Sequence, residues 1–196
     1  ALASQKRAAN AIEKGYFKDQ ITPVKITKKR EELAFDTDEH VRGETTADGL
    51  ASLRPAFDKE GQVTAGNSSG INDGAAALIL GNAEKVEKSN KSPLAKIVSY
   101  GFGGVAPRIM GMGPVPASKM ALERAGLKVS QIDIVESNEA FAAQACAVSK
   151  ELGLPSDIVN PNGGAIALGH PVGATGAIIM TKLIYELHRT GGRYGL

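Results

Sequence analysis

Residues 157–188 read DIVNPNGGAIALGHPVGATGAIIMTKLIYELH, and three textures follow one another in that stretch. Asp157–Asn160 is a short strand carrying Ile158 and Val159. A loop dense in glycine follows, with Gly163, Gly164, Gly169, Gly173 and Gly176. From about Thr175 to His188 the apolar residues take helical spacing, and Ile179, Leu183 and Leu187 at i, i+4 and i+8 predict one buried stripe. Strand, glycine loop and helix form the unit of a layered α/β fold. The same unit stands twice upstream. Strand Ala95–Tyr100 leads through a Gly-rich loop to a helix at about Ala117–Ala125, and strand Ile132–Glu136 leads to a helix from about Asn138 to Leu152. Tyr194–Leu196 reads as the opening of one more strand.

Before Pro93 the pattern is less regular. Residues 1–14 form an amphipathic helix with an Ala-rich face that stops near Gly15. A short strand follows with Ile21, Val24 and Ile26 apolar. Residues 36–44, DTDEHVRGE, are a charged surface loop, and Thr45–Leu53 is a short helix that ends before Pro55. QVTAGNSSG at 62–70 reads as a strand entering a tight loop, and Ala75–Leu80 as an apolar strand. The polar run Glu84–Ser92 is a helix end and linker, the best place for a domain boundary.

The 196 residues are 42% hydrophobic and 22% charged, with 23 glycines and no tryptophan. That balance fits a compact α/β chain and excludes collagen-like or disordered classes. A net charge of +2 without a basic stripe interleaved with aromatics gives no ground for a nucleic-acid partner. Lys25, Lys28, Lys29 and Arg30 are the densest positive run, read either as a solvated strand end or as an attraction for an anionic substrate. The single cysteine, Cys146, allows no internal disulfide and fits a reducing compartment. Its place among helix alanines suits a small buried hydrophobe rather than a nucleophile. No apolar run is long enough to span a bilayer.

Two strand-to-helix junctions carry candidate chemistry, because rigid elements hold a reactive group there. At Ser137-Asn138-Glu139-Ala140-Phe141 the polar residues suit an N-cap, and Glu139 suits the positive helix end. In the glycine loop, backbone N–H groups directed at His170 would lower its pKa and keep it neutral. A neutral imidazole can accept a proton from a nucleophile or donate to a developing oxyanion. His40 lies in the charged loop, and His188 ends a helix where a cation suits the dipole. Ser68-Ser69-Gly70 offers a narrow slot for a thin amide-bearing ligand, although turn chemistry explains it equally well. Gly101–Ala106 matches G-x-G-x-x-A, but Pro107 follows at once without a helix, so a nicotinamide site is not expected.

Taken together, Asn138-Glu139-Ala140-Phe141 and Asn162-Gly163-Gly164-Ala165 through Gly169-His170-Pro171 resemble the thiolase family closely. RPAFDKEGQVTAGNSSGINDGAAA and Met110-Gly111-Met112-Gly113-Pro114 are similar to stretches of its short-chain biosynthetic members, the acetyl-CoA acetyltransferases. The resemblance implies an α/β layered thiolase-like fold, αβαβα when complete and here incomplete. Residues 1–71 would end the CoA-binding loop domain, 72–92 would return to the N-terminal half, and 93–196 would make most of the C-terminal half. By the same resemblance His170 would activate a cysteine nucleophile and help bind the thioester oxygen, and Asn138 would hold a water that completes the oxyanion hole. Ser69 would contact the pantetheine arm, Phe57 and Arg42 would lie near the adenosine end, and Phe141 and Met110 would line the acyl pocket. Family members are about twice as long, with an acylated cysteine upstream of the segment matching Ala1 and a second cysteine beyond Leu196. The chain is therefore expected to be a C-terminal fragment, inactive alone.

The implied reaction joins two acetyl-CoA into acetoacetyl-CoA plus CoA, and its reverse is thiolysis. Coenzyme A serves as substrate and product, with no tightly bound cofactor and no metal. The implied partners are acetyl-CoA and acetoacetyl-CoA in a homodimer or homotetramer, without nucleic acid or membrane, in the cytoplasm or a mitochondrion. The alternatives are another condensing enzyme of the same fold, such as a β-ketoacyl or hydroxymethylglutaryl-CoA synthase, and a non-catalytic thiolase-like lipid or acyl-CoA carrier. The long glycine motif disfavours the first; Asn138–Phe141 disfavours the second.

Overall fold

The computed structural model describes residues 1–28 and 30–196. Helix α1 (Leu2–Glu13) opens the chain and buries its alanine face, with Ala8 and Ala11 fully inaccessible. Gly15 stops it by turning to φ 70°, which lets the Tyr16 N–H return to the Ala11 carbonyl at 2.9 Å. α2 (Ala47–Ala51) is capped by the Thr46 hydroxyl, which accepts from the Gly49 N–H. α3 (Ala83–Lys88) falls in the charged run read as a helix end.

The regular half follows the predicted order of its helices. α4 (Pro114–Ala125) starts on proline, α5 (Ala142–Leu152) follows it, α6 (Ala165–Leu168) is a single turn, and α7 (Thr175–Thr190) is the longest of these. Val115 of α4 meets Val148 and Leu152 of α5 in one apolar cluster. Leu122, Ile132 and Val135 form a second, flanked by Ile158, Val159 and Tyr194. Each such side chain contributes about 1.5–3 kcal/mol when removed from water.

Inside the second cluster three extended segments run parallel. Ile134 bridges Gly195 and Val135 bridges Val159, which leaves 133–136 in the middle. The Val135 N–H donates to Ile158 O at 2.9 Å, and the Leu196 N–H to Ile134 O at 3.0 Å. This pairing sets the ends of 133–136 and 157–160 side by side, and both candidate junctions begin there.

Several expectations are corrected. Ala75–Leu80 and Ala95–Tyr100 carry no regular secondary structure and form no ladder among the described residues; Ile79 is fully exposed and Leu80 is 73% exposed. A strand exists only through hydrogen bonds to a neighbour, and no described segment supplies one. The strand read into 62–70 shrinks to two isolated bridges, Pro55 to Thr64 and Ser68 to Phe141. The predicted strand near Ile26 is half of a hairpin, β1 (Val24–Lys28) against β2 (Glu31–Phe35), exposed along its whole length. Of the basic run there, Lys29 lies outside the described residues. On α7 the fully buried residues are Thr175, Lys182 and Glu186, a polar stripe, while Ile179, Leu183 and Leu187 are half-buried. Cys146 is exposed, because it faces about 200° away from the Val148–Leu152 face of α5.

Candidate active site

The helix expected from Asn138 begins four residues later, with Phe141 as its N-cap position. Ser137–Phe141 therefore stays extended, and its polar residues do not cap α5. Two neighbours hold it. On one side the Ser69 N–H donates to Ala140 O at 3.0 Å and the Ala142 N–H to Asn67 O at 2.8 Å, around an antiparallel bridge between Ser68 and Phe141. On the other side the Asn160 side chain acts as a strand partner, accepting from the Ser137 N–H and donating to the Ser137 carbonyl, both at 2.8 Å. Asn160 has φ 45° and is 2% exposed, and asparagine tolerates that conformation better than most residues.

Glu139 is drawn into this frame rather than to the α5 dipole. Its carboxylate accepts from the Ser4 hydroxyl at 2.6 Å, from Asn160 Nδ2 at 3.2 Å and from the Ile166 N–H at 3.2 Å. The last contact sets a negative charge on the first turn of α6. Gly164 has no room for a Cβ because the Glu139 carboxylate occupies that space.

The frame brings His170 to Asn138, with the His170 Nε2 3.4 Å from Asn138 Nδ2. The other ring nitrogen, Nδ1, lies 2.7 Å from Thr175 Oγ1, and that hydroxyl donates to the Pro171 carbonyl at 3.0 Å. A hydroxyl has one proton, so Thr175 must accept from His170 Nδ1–H. In the neutral ring the lone pair then sits on Nε2, on the side of Asn138. The backbone N–H donors expected around the ring are absent among the described residues; a hydroxyl and a side-chain amide take their place. Asn138 Oδ1 is buried without a partner among the described residues. The His170 backbone N–H is held by Asn72 Oδ1 at 3.2 Å, and Asn72 Nδ2 reaches His40 Nδ1 at 3.4 Å. His40 is thus tied to the site through one amide. His188 is not; its Nε2 donates to the Leu94 carbonyl at 2.7 Å.

Of the remaining predicted residues, Ser69 and Phe141 flank that contact: the Ser69 N–H bonds to Ala140 O, next to the Ser68–Phe141 bridge. Phe141 also makes an edge-to-face pair with Phe57, ring centroids 6.4 Å apart, and Phe57 is 78% exposed. Arg42 is exposed and is anchored through its backbone: its N–H donates to Gln5 Oε1 at 2.7 Å, and its carbonyl accepts from the Thr45 hydroxyl at 2.7 Å and the Thr45 N–H at 3.0 Å. Met110 is 79% exposed on a 3-10 turn, Pro107–Met112, which packs on α5. Neither Arg42 nor Met110 bonds to the His170 group. Two clefts of about 540 and 850 Å³ lie elsewhere, the first beside Tyr16 and Arg189 and the second between 94–99 and the half-buried face of α7.

Sequence reasoning missed Ser4, Asn72, Asn160, Thr175, Glu136 and Lys182. Asn160 had a signal, an asparagine just before a Pro-Asn-Gly-Gly turn; the others gave none. Among the described residues no three His, Cys, Asp or Glu side chains converge to hold a metal ion, and no helix is long and apolar enough to cross a membrane.

The sequence matches two family models, the thiolase N-terminal domain over residues 1–84 and the thiolase C-terminal domain over residues 91–196. This chain belongs to the thiolase family. It is similar to a beta-ketothiolase of Cupriavidus necator, 58% identical over all of this chain and 50% of the relative. The solved acetyl-CoA acetyltransferase of Bacillus anthracis superposes with a TM-score of 0.96 at 51% identity, over 99% of this chain and 49% of that one. A human mitochondrial 3-ketoacyl-CoA thiolase in complex with CoA gives 0.90 at 46% identity, over 99% and 48%. The thiolase chain thus spans about half the length of the relatives it matches, and its architecture is an incomplete thiolase fold.

Proposed function

We propose that the protein to which this chain contributes is an acyltransferase that joins two acetyl-CoA into acetoacetyl-CoA and CoA and runs the reverse thiolysis. The observation that carries this reading is the fixed tautomer of His170. Thr175 holds Nδ1, so Nε2 is left as a base beside the Asn138 amide. In thiolysis the base takes the proton of a thiol, and the resulting thiolate attacks the ketone carbonyl of acetoacetyl-CoA. The carbon–carbon bond breaks, the electron pair returns through the thioester enolate, and a proton converts that enolate to acetyl-CoA. Enolate charge gathers on the thioester oxygen, where hydrogen bonds fixed in advance count most. His170, once its Nε2 carries the thiol's proton, and a water held by Asn138 stand together to supply them. The thiol that becomes acylated lies outside this chain, since Cys146 is exposed on α5 and makes no bond to His170.

Around this centre we assign Ser69 and its loop to the pantetheine arm, Phe57 and Arg42 to the adenosine end, and Phe141 and Met110 to the acyl pocket. Residues 1–71 then belong to a CoA-binding loop domain, 72–92 to the N-terminal half and 93–196 to the C-terminal half. Coenzyme A is substrate and product in a soluble homodimer or homotetramer. Acetyl-CoA acetyltransferases among the similar proteins support a short acyl chain. The test is thiolysis of acetoacetyl-CoA by the full-length protein: His170→Ala should lower kcat by at least about a hundredfold, and a near-parental rate overturns the assignment.

A further inference from the structure

The buried face of α7 carries an ion pair that the acyl-transfer chemistry leaves unused. Lys182 Nζ lies 2.7 Å from Glu136 Oε2 and 2.6 Å from the Gly163 carbonyl, and the two side chains are 7% and 2% exposed. Burial pushes the Glu136 carboxyl up, and the Lys182 ammonium pulls it back. Burying such a pair costs several kcal/mol per ion before the attraction offsets it, so its net gain in stability is small. What it fixes is position. Glu136 ends the middle parallel segment two residues before Asn138. Gly163 opens the loop that leads to His170, at φ 80°, and a Cβ there would meet the Ala8 Cβ and the Ser4 carbonyl, each at 2.7 Å. One ammonium therefore touches both junctions, and no other described side chain joins Glu136 to Gly163.

We propose that Lys182 is a positioning residue that sets the separation of Asn138 and His170 by clamping Glu136 to the Gly163 carbonyl. The proposal rests on the acyl-transfer reading for its effect on rate, but the clamp itself is readable without activity. An apolar residue at 182 would leave the Gly163 carbonyl buried without a donor, and the loop would lose its tie to α7. Misplacing a catalytic group by about 1 Å costs up to roughly a hundredfold in rate.

The test uses the full-length protein with Lys182→Met, Lys182→Arg, and the double variant Glu136→Gln with Lys182→Met, which leaves no uncompensated buried charge and so keeps the fold. Amide hydrogen exchange over 160–170, thermal midpoint, and kcat and KM for acetoacetyl-CoA are measured. In the double variant, exchange over 160–170 should quicken about tenfold or more and kcat fall roughly tenfold to a hundredfold, with KM within about twofold and the midpoint lower by about a few degrees, as the unpaired Gly163 carbonyl requires. Lys182→Arg, which can still donate to both acceptors, should recover most of the rate. Parental exchange over 160–170 in the double variant overturns the clamp, as does a parental kcat. If the parent itself does not thiolyse acetoacetyl-CoA, the acyl-transfer reading fails while the exchange result still decides the clamp.

Discussion

Replacing Thr175 by valine removes one hydroxyl from a residue that is 6% exposed, with almost no change in volume. The Thr175 oxygen lies 2.7 Å from His170 Nδ1 and 3.0 Å from Pro171 O. In Thr175→Val the imidazole keeps its proton on Nδ1 only by burying that N–H without an acceptor, at about 1–3 kcal/mol. Its escape is to carry the proton on Nε2, which places an N–H toward Asn138 Nδ2 and abolishes the lone pair there. Either way the base-competent ring becomes a minor species. If the whole penalty falls on that species, kcat drops about 5- to 150-fold, since 1.36 kcal/mol is tenfold. The assay is thiolysis of acetoacetyl-CoA by the full-length protein at saturating CoA, with Thr175→Ser as control. Serine keeps the hydroxyl and should stay within about threefold of the parent, while KM should barely move in either variant. Parental kcat in Thr175→Val, or equal loss in Thr175→Ser, refutes the tautomer argument.

Gly163→Ala forces a Cβ into the Ala8 Cβ and Ser4 O at a backbone angle that L side chains avoid, and should cost about 2–5 kcal/mol, read as a shift in the urea midpoint. Phe57→Ala removes the edge-to-face partner of Phe141, worth about 0.5–1.5 kcal/mol, and should raise the KM for acyl-CoA about 2- to 12-fold while leaving kcat in place. The Asp133 carboxylate accepts from the Tyr194 and Arg193 N–H groups, in that order of effect, which holds its pKa below the usual carboxylate range. Its stabilisation is therefore present above the unfolded value near 3.9 and is lost as pH falls through the lower folded value. The thermal midpoints of Asp133→Asn and the parent should accordingly differ at pH 5 and converge toward pH 2.

The parallel α/β half was legible because its signals are local. Glycines after helices α4, α5 and α7, proline at the start of α4, and the apolar residues of 132–136 and 157–160 each specify a piece of backbone without help from afar. Ala75–Leu80 and Ala95–Tyr100 carried the same apolar signature, yet pairing requires a neighbour that no described segment supplies. The hairpin was half-seen because Glu31–Phe35 mixes charge with aromatic residues on two exposed faces, so no buried face imposes a period. His170 and Asn138 stood out because polar groups among so many turns call for a reason. Thr175, Asn72 and Asn160 did not, since their meaning lies in partners 5, 98 and 23 residues away. The polar stripe of α7 escaped a reading that searched helices for apolar faces.

Helix α1 is made well before the residues that hold it. Ser4 reaches Glu139 and the Gly164 carbonyl, Gln5 reaches Ile166 O, and Arg7 reaches Val159 O, across 135 to 161 positions of sequence. At a synthesis rate of about 5–20 residues per second, α1 waits on the order of ten seconds or more before those acceptors exist. During that time its Ser4–Arg7 donors lack those acceptors. The candidate site is therefore a late product of folding: closing a loop of that length comes before the His170 and Asn138 junctions are held in place. A mutation at Ser4 or Arg7 would be felt first as slow maturation of the fold, and only afterwards as any change in its finished geometry.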